Sequence, residues 1–158
     1  MTSRTRRATL ATLVATAVAA AAPAAGDPPA LAASPPGGPA AVLDAQVEAW
    51  NRGDLEGFMA GYWRSPELVF CSGATVTKGW DETLARYRRR YQSEGREMGR
   101  LRFDGIEVVA LGPDAALARG AWRLHMTDGK EPHGLFTLVL RRLDGSWRIV
   151  HDHTSSGE

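Results

Sequence analysis

The periodicity of this chain changes once, near Gly99, and that change limits the folds open to it. Before Gly99 the apolar residues recur at helical spacing. Leu43, Val47 and Trp50, flanked by Val42 and Ala49, make one stripe; Leu55, Phe58, Met59 and Tyr62 make a second; Trp80, Leu84, Tyr87 and Tyr91 make a third. After Gly99 the period becomes two. Residues 101–111, 115–127, 134–142 and 147–155 read as strands, divided by turns at Gly112-Pro113-Asp114, Asp128-Gly129 and Asp144-Gly145. Residues 68–72 and 75–77 read as two short strands between the second and third helices. Gly53 suits the end of the first helix, Asp54 can cap the second, and Ser65-Pro66 stops it. Gly105 is expected to interrupt the first long strand. There is no internal repeat. Helices followed by a run of hairpin-linked strands imply an α+β fold, with three N-terminal helices packed on one face of a bent antiparallel sheet.

The N-terminal segment reads as an address rather than part of that fold. Arg4, Arg6 and Arg7 precede an apolar run over residues 8–22, and small residues around Ala22-Pro23-Ala24 supply a cleavage pattern. Residues 1–25 are therefore expected to be a secretory signal peptide, making the protein periplasmic or secreted. Thr5-Arg6-Arg7-Ala8-Thr9-Leu10 loosely resembles a twin-arginine export signal. The apolar run is shorter than the roughly 20 residues a membrane span needs, so no span is expected once the signal is removed. Residues 26–39, rich in Pro, Ala and Gly, read as a disordered linker, and residues 40–156 as one domain. The net charge of +1 points to neither nucleic acid nor an anionic membrane surface. Cys71 is the only cysteine, so no intrachain disulfide is possible, and a buried thiol is expected.

The final strand, Trp147-Arg148-Ile149-Val150-His151-Asp152-His153-Thr154-Ser155, concentrates the chemistry. Alternation sends His151 and His153 to one face and Asp152 to the other. On the strand before the Asp128-Gly129 turn, Ala116, Ala118, Gly120, Trp122, Leu124 and Met126 form the apolar, inner face; on the next, Phe136, Leu138 and Leu140 do so. Which face of the last strand joins them depends on the hairpin. A three-residue loop, Leu143-Asp144-Gly145, pairs Leu138 with Val150 and Phe136 with Asp152, and puts Asp152 inside. A two-residue Asp144-Gly145 loop pairs Leu138 with His151 and Phe136 with His153, and puts the imidazoles inside. The first is favoured because it groups Leu138 with Val150 and Val139 with Ile149.

An inward Asp152 has three readings. Burial raises a carboxyl pKa, which suits a general acid or base; the same group can bond a ligand hydroxyl; or it can be satisfied within the protein by Tyr62, Tyr87, Thr154 or a backbone amide. His151 and His153, with His125 from a nearby strand, are a weak alternative as metal ligands. No HExxH, cysteine pair or acidic third ligand supports them, and no metal is expected. The arginines at 86, 88, 89 and 90 are either an anion site or a solvated helix face.

The run Ala49-Trp50-Asn51-Arg52-Gly53-Asp54, the Gly79-Trp80 helix start and the stretch Asp144-Gly145-Ser146 through Ser155 resemble the nuclear transport factor 2-like superfamily, and within it the SnoaL-like domains. The resemblance covers residues 42–155. It implies a cone-shaped fold whose bent sheet wraps the helices around a pocket, and dimers formed through the sheet's outer face. Members include isomerases, cyclases, dehydratases and non-enzymatic binding or assembly domains, so fold leaves function open. The ending is also similar to the association domain of calcium/calmodulin-dependent kinase II, whose pocket arginines correspond here to Trp122, Leu138 and Thr154. The tyrosine and paired aspartates of a ketosteroid isomerase are not clearly in place.

The expected function is small-molecule binding in a mostly apolar pocket, without a cofactor. The pocket is expected to be lined by Trp50, Tyr62, Trp63, Trp80, Tyr87, Trp122, Phe136, Leu138 and Thr154, with Asp152 as the candidate catalytic group. The alternatives are a cofactor-free isomerase, cyclase or dehydratase using Asp152, and a homo-oligomeric assembly module built on an outer face around Arg119, Arg123, Val139, Ile149 and His151. The expected partners are a small organic ligand and a second copy of the chain.

Overall fold

The computed structural model describes residues 37–157. The expected signal peptide and most of the expected linker fall in residues 1–36, outside the described residues.

Helix α1 (Pro39–Asn51) starts at a proline, whose fixed φ suits the first turn and whose missing N–H costs nothing there. It buries Leu43, Gln46, Ala49 and Trp50. Its last residue, Asn51, ties the helix to the sheet: the side-chain amide donates to the Leu101 carbonyl at 3.0 Å and accepts the Leu101 N–H at 2.7 Å. Gly53 then takes a φ of 79° in the turn. Asp54 caps α2 (Leu55–Met59) by accepting the Gly57 N–H at 2.7 Å. This helix is shorter than its apolar stripe. Tyr62 leaves the helical path and forms a parallel bridge to Ile149, with the Trp63 N–H donating to the Ile149 carbonyl and the Ile149 N–H to the Gly61 carbonyl, both at 2.9 Å. Strands β1 (Val69–Ser72) and β2 (Thr75–Lys78) precede α3 (Trp80–Tyr91), and β3 (Arg100–Gly112), β4 (Ala115–His125), β5 (His133–Leu143) and β6 (Ser146–Thr154) complete the chain.

All six strands form one curved sheet in the order β2-β1-β6-β5-β4-β3. The hairpin-linked neighbours are antiparallel, but β1 runs parallel to β6, Phe70 beside Asp152. The sheet is therefore mixed, not wholly antiparallel as expected. A parallel pair formed by strands far apart in the chain has no turn to announce it. Gly105 interrupts β3 as anticipated: its φ is 59° and the β3–β4 register shifts between Asp104 and Glu107.

The β5–β6 hairpin corrects both expected registers. The turn is the two-residue one, Leu143 opposite Ser146, with Asp144 at φ 50° and Gly145 at φ 77°. That φ sign at both positions matches the twist of a hairpin. The ladder then slips between Val139 and Leu140. Leu140 faces Ile149, Val139 faces His151, Leu138 faces Asp152 and Phe136 faces Thr154. Val150 is the extra residue of a β-bulge, and a bulge exchanges the faces beyond it. Ile149 before it and Asp152 after it both point into the core, at 0% and 3% exposure. Ile149 therefore cannot belong to an outer assembly face. Cys71, expected to be buried, is only partly so.

The core lies between the helices and the inner face of the sheet. Leu43, Met59, Leu68, Leu140 and Ile149 are each fully buried there. Ala116, Ala118 and Leu124 of β4 and Phe136, Leu138 and Leu140 of β5 are also inside, as their alternation requires. Among the described residues no helix is long and apolar enough to cross a membrane.

Candidate functional site

The helices do not fill the hollow of the sheet. A cavity of about 70 Å³ remains, walled by Trp50, Phe58, Leu101, Phe103, Leu124, Phe136 and Leu138, with Gln46, Tyr62, Tyr87, Trp122, Asp152 and Thr154 also contributing. Asp152 is its only carboxylate. The bulge at Val150 aims it inward, and two hydroxyls hold it: Tyr62 donates to Oδ2 and Thr154 to Oδ1, each at 2.7 Å. A carboxylate offers about four lone-pair sites, so acceptor capacity remains for a ligand donor.

Burial raises the Asp152 pKa from 3.8 to about 6. The hydroxyls of Thr154 and Tyr62 and the nearby His153 pull the other way without cancelling it. Burial also pushes the Tyr62 and Tyr87 hydroxyls up, and the Asp152 charge adds to both. The tyrosines therefore stay protonated and can donate, while the carboxyl titrates near neutrality.

The aromatic wall is rigid. The Trp50 ring meets Phe58 edge-on at 5.0 Å and Tyr91 at 4.9 Å, and its Nε1 donates to the Met98 and Gly99 carbonyls at 3.1 and 3.2 Å. Two glycines make room on the sheet side. A Cβ at Gly120 would lie 2.8 Å from Phe136 Cζ, so the Phe136 ring occupies the space that a side chain there would fill. A Cβ at Gly134 would lie 2.0 Å from the Ser155 carbonyl oxygen. That carbonyl accepts the Trp122 Nε1–H at 3.0 Å, which fixes the indole at the edge of the cavity.

Of the residues expected from the sequence, Trp50, Tyr62, Tyr87, Trp122, Phe136, Leu138, Asp152 and Thr154 meet around the cavity. Trp63 and Trp80 do not. Trp80 packs in the core, its Nε1 donating to the Met59 carbonyl at 2.9 Å and its ring covered by the Arg64 guanidinium. Trp63 contributes its backbone to the bridge with β6. Helical periodicity could have found two of the residues not anticipated. Gln46 lies between Leu43 and Trp50 on the buried side of α1, and Phe58 is in the second stripe; Gln46 donates to the Phe58 carbonyl at 3.1 Å. Leu124 lies on the inner face expected for its strand, whereas Leu101 and Phe103 needed the β3–β4 register. His151 and His153 lie on the other face from Asp152, His153 exposed and opposite Thr137. His125 bonds Glu131 at 3.2 Å. Among the described residues no three His, Cys, Asp or Glu side chains converge as a metal site requires.

A curved six-stranded sheet closed over helices around one cavity defines a nuclear transport factor 2-like domain. The chain belongs to the SnoaL-like domain family, whose model matches residues 40–157. Solved structures agree. An NTF2-like protein of unknown function from Shewanella oneidensis is 40% identical, over 73% of this chain and 94% of its own, with a TM-score of 0.69. A putative calcium/calmodulin-dependent protein kinase type II association domain from Thiobacillus denitrificans is 25% identical, over 76% and 95%, with a TM-score of 0.64. A ketosteroid isomerase-like protein from Erwinia carotovora atroseptica is 25% identical, over 75% and 93%, with a TM-score of 0.60. No curated protein matches the chain.

Proposed function

We propose that this domain is an exported binding protein for a small, mostly apolar molecule. The observation that carries this reading is the hollow itself: apolar walls, a single inward carboxylate, and two hydroxyls that orient it. A few convergent polar groups in an apolar cavity are the usual make-up of a small-molecule site. The volume restricts the ligand. Usual ligand pockets measure ~300–1,000 Å³, and an engineered cavity of ~150 Å³ takes benzene. The hollow here, about 70 Å³, suits a fragment of a few heavy atoms, or the apolar end of a longer ligand. Export rests on the arginine-led apolar segment of residues 1–25.

Native mass spectrometry of protein purified from its own host should show a retained small molecule. Methyl NMR of Leu101, Leu124 and Leu138 should show shifts on adding short-chain alcohols of three or four carbons. Silent methyls together with an empty mass spectrum would remove the reading. The second reading, proton transfer by Asp152, is favoured by its pKa near 6 in an apolar setting, and one relative is named as ketosteroid isomerase-like. Asp152→Asn distinguishes the two. It should keep short-chain alcohols bound within about threefold, whereas a proton-transfer activity would fall ~10²–10⁴-fold.

A homodimer through the outer face of the sheet is also proposed. Val109, Leu117 and Val139 are cross-strand neighbours on that face, and Leu135 nearby is 64% exposed. Light scattering at micromolar concentration should give twice the chain mass, and Leu135→Arg should shift it towards the monomer. A native monomer would end that proposal.

A further inference from the structure

The cavity opens towards α3, and the opening is lined very differently from the interior. A second hollow of about 60 Å³ shares Tyr87, Trp122 and Thr154 with the first and adds Phe70, Arg86 and Arg90. Outside it lies an open groove of about 670 Å³ that carries Arg86, Arg89, Arg90, Arg96 and Lys130. The three hollows adjoin through shared walls: Tyr87, Trp122 and Thr154 between the apolar cavity and the second hollow, and Arg86, Arg90 and Tyr91 between that hollow and the basic groove.

The arginines differ in how they are employed. Arg88 turns outward and pairs with Glu56. Arg86, Arg89, Arg90 and Arg96 have no carboxylate partner among the described residues. The groove's own acids are engaged: Glu97 accepts from the Thr127 N–H and hydroxyl, and Asp128 from Lys130. Arg86 and Arg90 are also positioned. The Arg86 guanidinium sits 5.7 Å from the Phe70 ring centroid; that of Arg90 sits 5.4 Å from the Tyr91 centroid, with its Nε donating to the Tyr91 hydroxyl at 3.1 Å. Aromatic faces hold a guanidinium in place and leave its edge donors free for a planar anion.

We propose that Arg86 and Arg90 form an anion subsite at the mouth, and that the ligand is an amphipathic acid: a short alkyl body in the cavity, with a carboxylate outward on the two arginines. The inference deepens the binding reading above and rests on it. Charge fixes the direction of entry. A carboxylate pushed inward would meet Asp152 in a low-dielectric chamber, where like charges repel strongly. Turned outward, it meets two unpaired guanidiniums, and the basic groove beyond raises its local concentration.

Calorimetric titration with butyrate, 1-butanol and butylamine at low salt tests this, since the short alkyl body suits the hollow of about 70 Å³ and only the terminal group differs. The acid should bind at least about tenfold more tightly than the alcohol, and the amine most weakly. Arg86→Gln/Arg90→Gln should lower the acid to the level of the alcohol and leave the alcohol unchanged. In the native chain, raising NaCl should weaken the acid alone, a readout that stands even if the double variant misfolds. Equal affinities for acid and alcohol, insensitive to salt, would overturn the anion subsite while leaving the cavity reading intact. If none of the three binds the native chain, both fall.

Discussion

An Asp152→Asn protein will be more stable than the native chain at pH 8, by about 3 kcal/mol, and by less than about 1 kcal/mol near pH 4. The sign follows from which state keeps the proton. Burial lifts the folded pKa from 3.8 to about 6. Below the lower value both states are protonated and Asp152 contributes nothing that depends on pH. Between the two values the unfolded chain has released its proton and the folded chain has not, so stability falls as pH rises. Above the higher value the folded state carries a buried anion, and the penalty is complete at about 1.4 kcal/mol per pH unit of displacement. Asparagine matches the protonated acid in shape, with one oxygen that accepts from one of the two hydroxyls and an NH2 that donates to the other, and it never ionises. In a domain of this size the gap at pH 8 is on the order of 10 °C in Tm. Thermal melts of both proteins from pH 4 to 8 measure it. A gap that does not widen with pH would mean that the carboxyl is not desolvated, and would remove the acid–base reading of the site.

Ile149→Ala will cost about 2–5 kcal/mol, as for a large aliphatic side chain deleted from a core that cannot close around the gap. Ile149 is fully buried, faces Leu140 across the hairpin and sits on the bridge to Tyr62. Val150→Ala, one residue further on at the bulge, will cost markedly less, because that side chain is only partly covered. Urea unfolding of the two variants gives the comparison through the midpoint shift at constant m. Equal costs, or the larger cost at Val150, would mean that the hairpin runs without its bulge and that Asp152 does not face the cavity.

These two residues also show how far the sequence could be read. On a regular strand Ile149 and Asp152, three apart, must lie on opposite faces. The register favoured by the sequence places Asp152 inside and therefore Ile149 outside. In the structure both are inside. The tight Asp144-Gly145 turn sets one register, and the extra residue at Val150 changes it before Asp152 is reached. Nothing about a valine marks it as a bulge. The extra residue is accommodated where β6 changes partners, from the Gly61–Trp63 segment at Ile149 to the parallel strand β1 at His151. Trp80 illustrates the same limit: an aromatic at helical spacing identifies a buried side, but not whether that side meets a cavity or solid core.

Local signals sufficed for the rest. The change of period at Gly99, the cap at Asp54, the turn glycines and the apolar inner faces of β4 and β5 each depend on a few neighbouring residues, and they specify three helices, the hairpins and the side of the sheet that is buried. The parallel β1–β6 pairing, the bulge that turns Asp152 inward, and the meeting of α3's arginines with the cavity mouth join segments far apart in the chain. Such contacts are selected by the packing of the whole domain, so only the tertiary structure decides them.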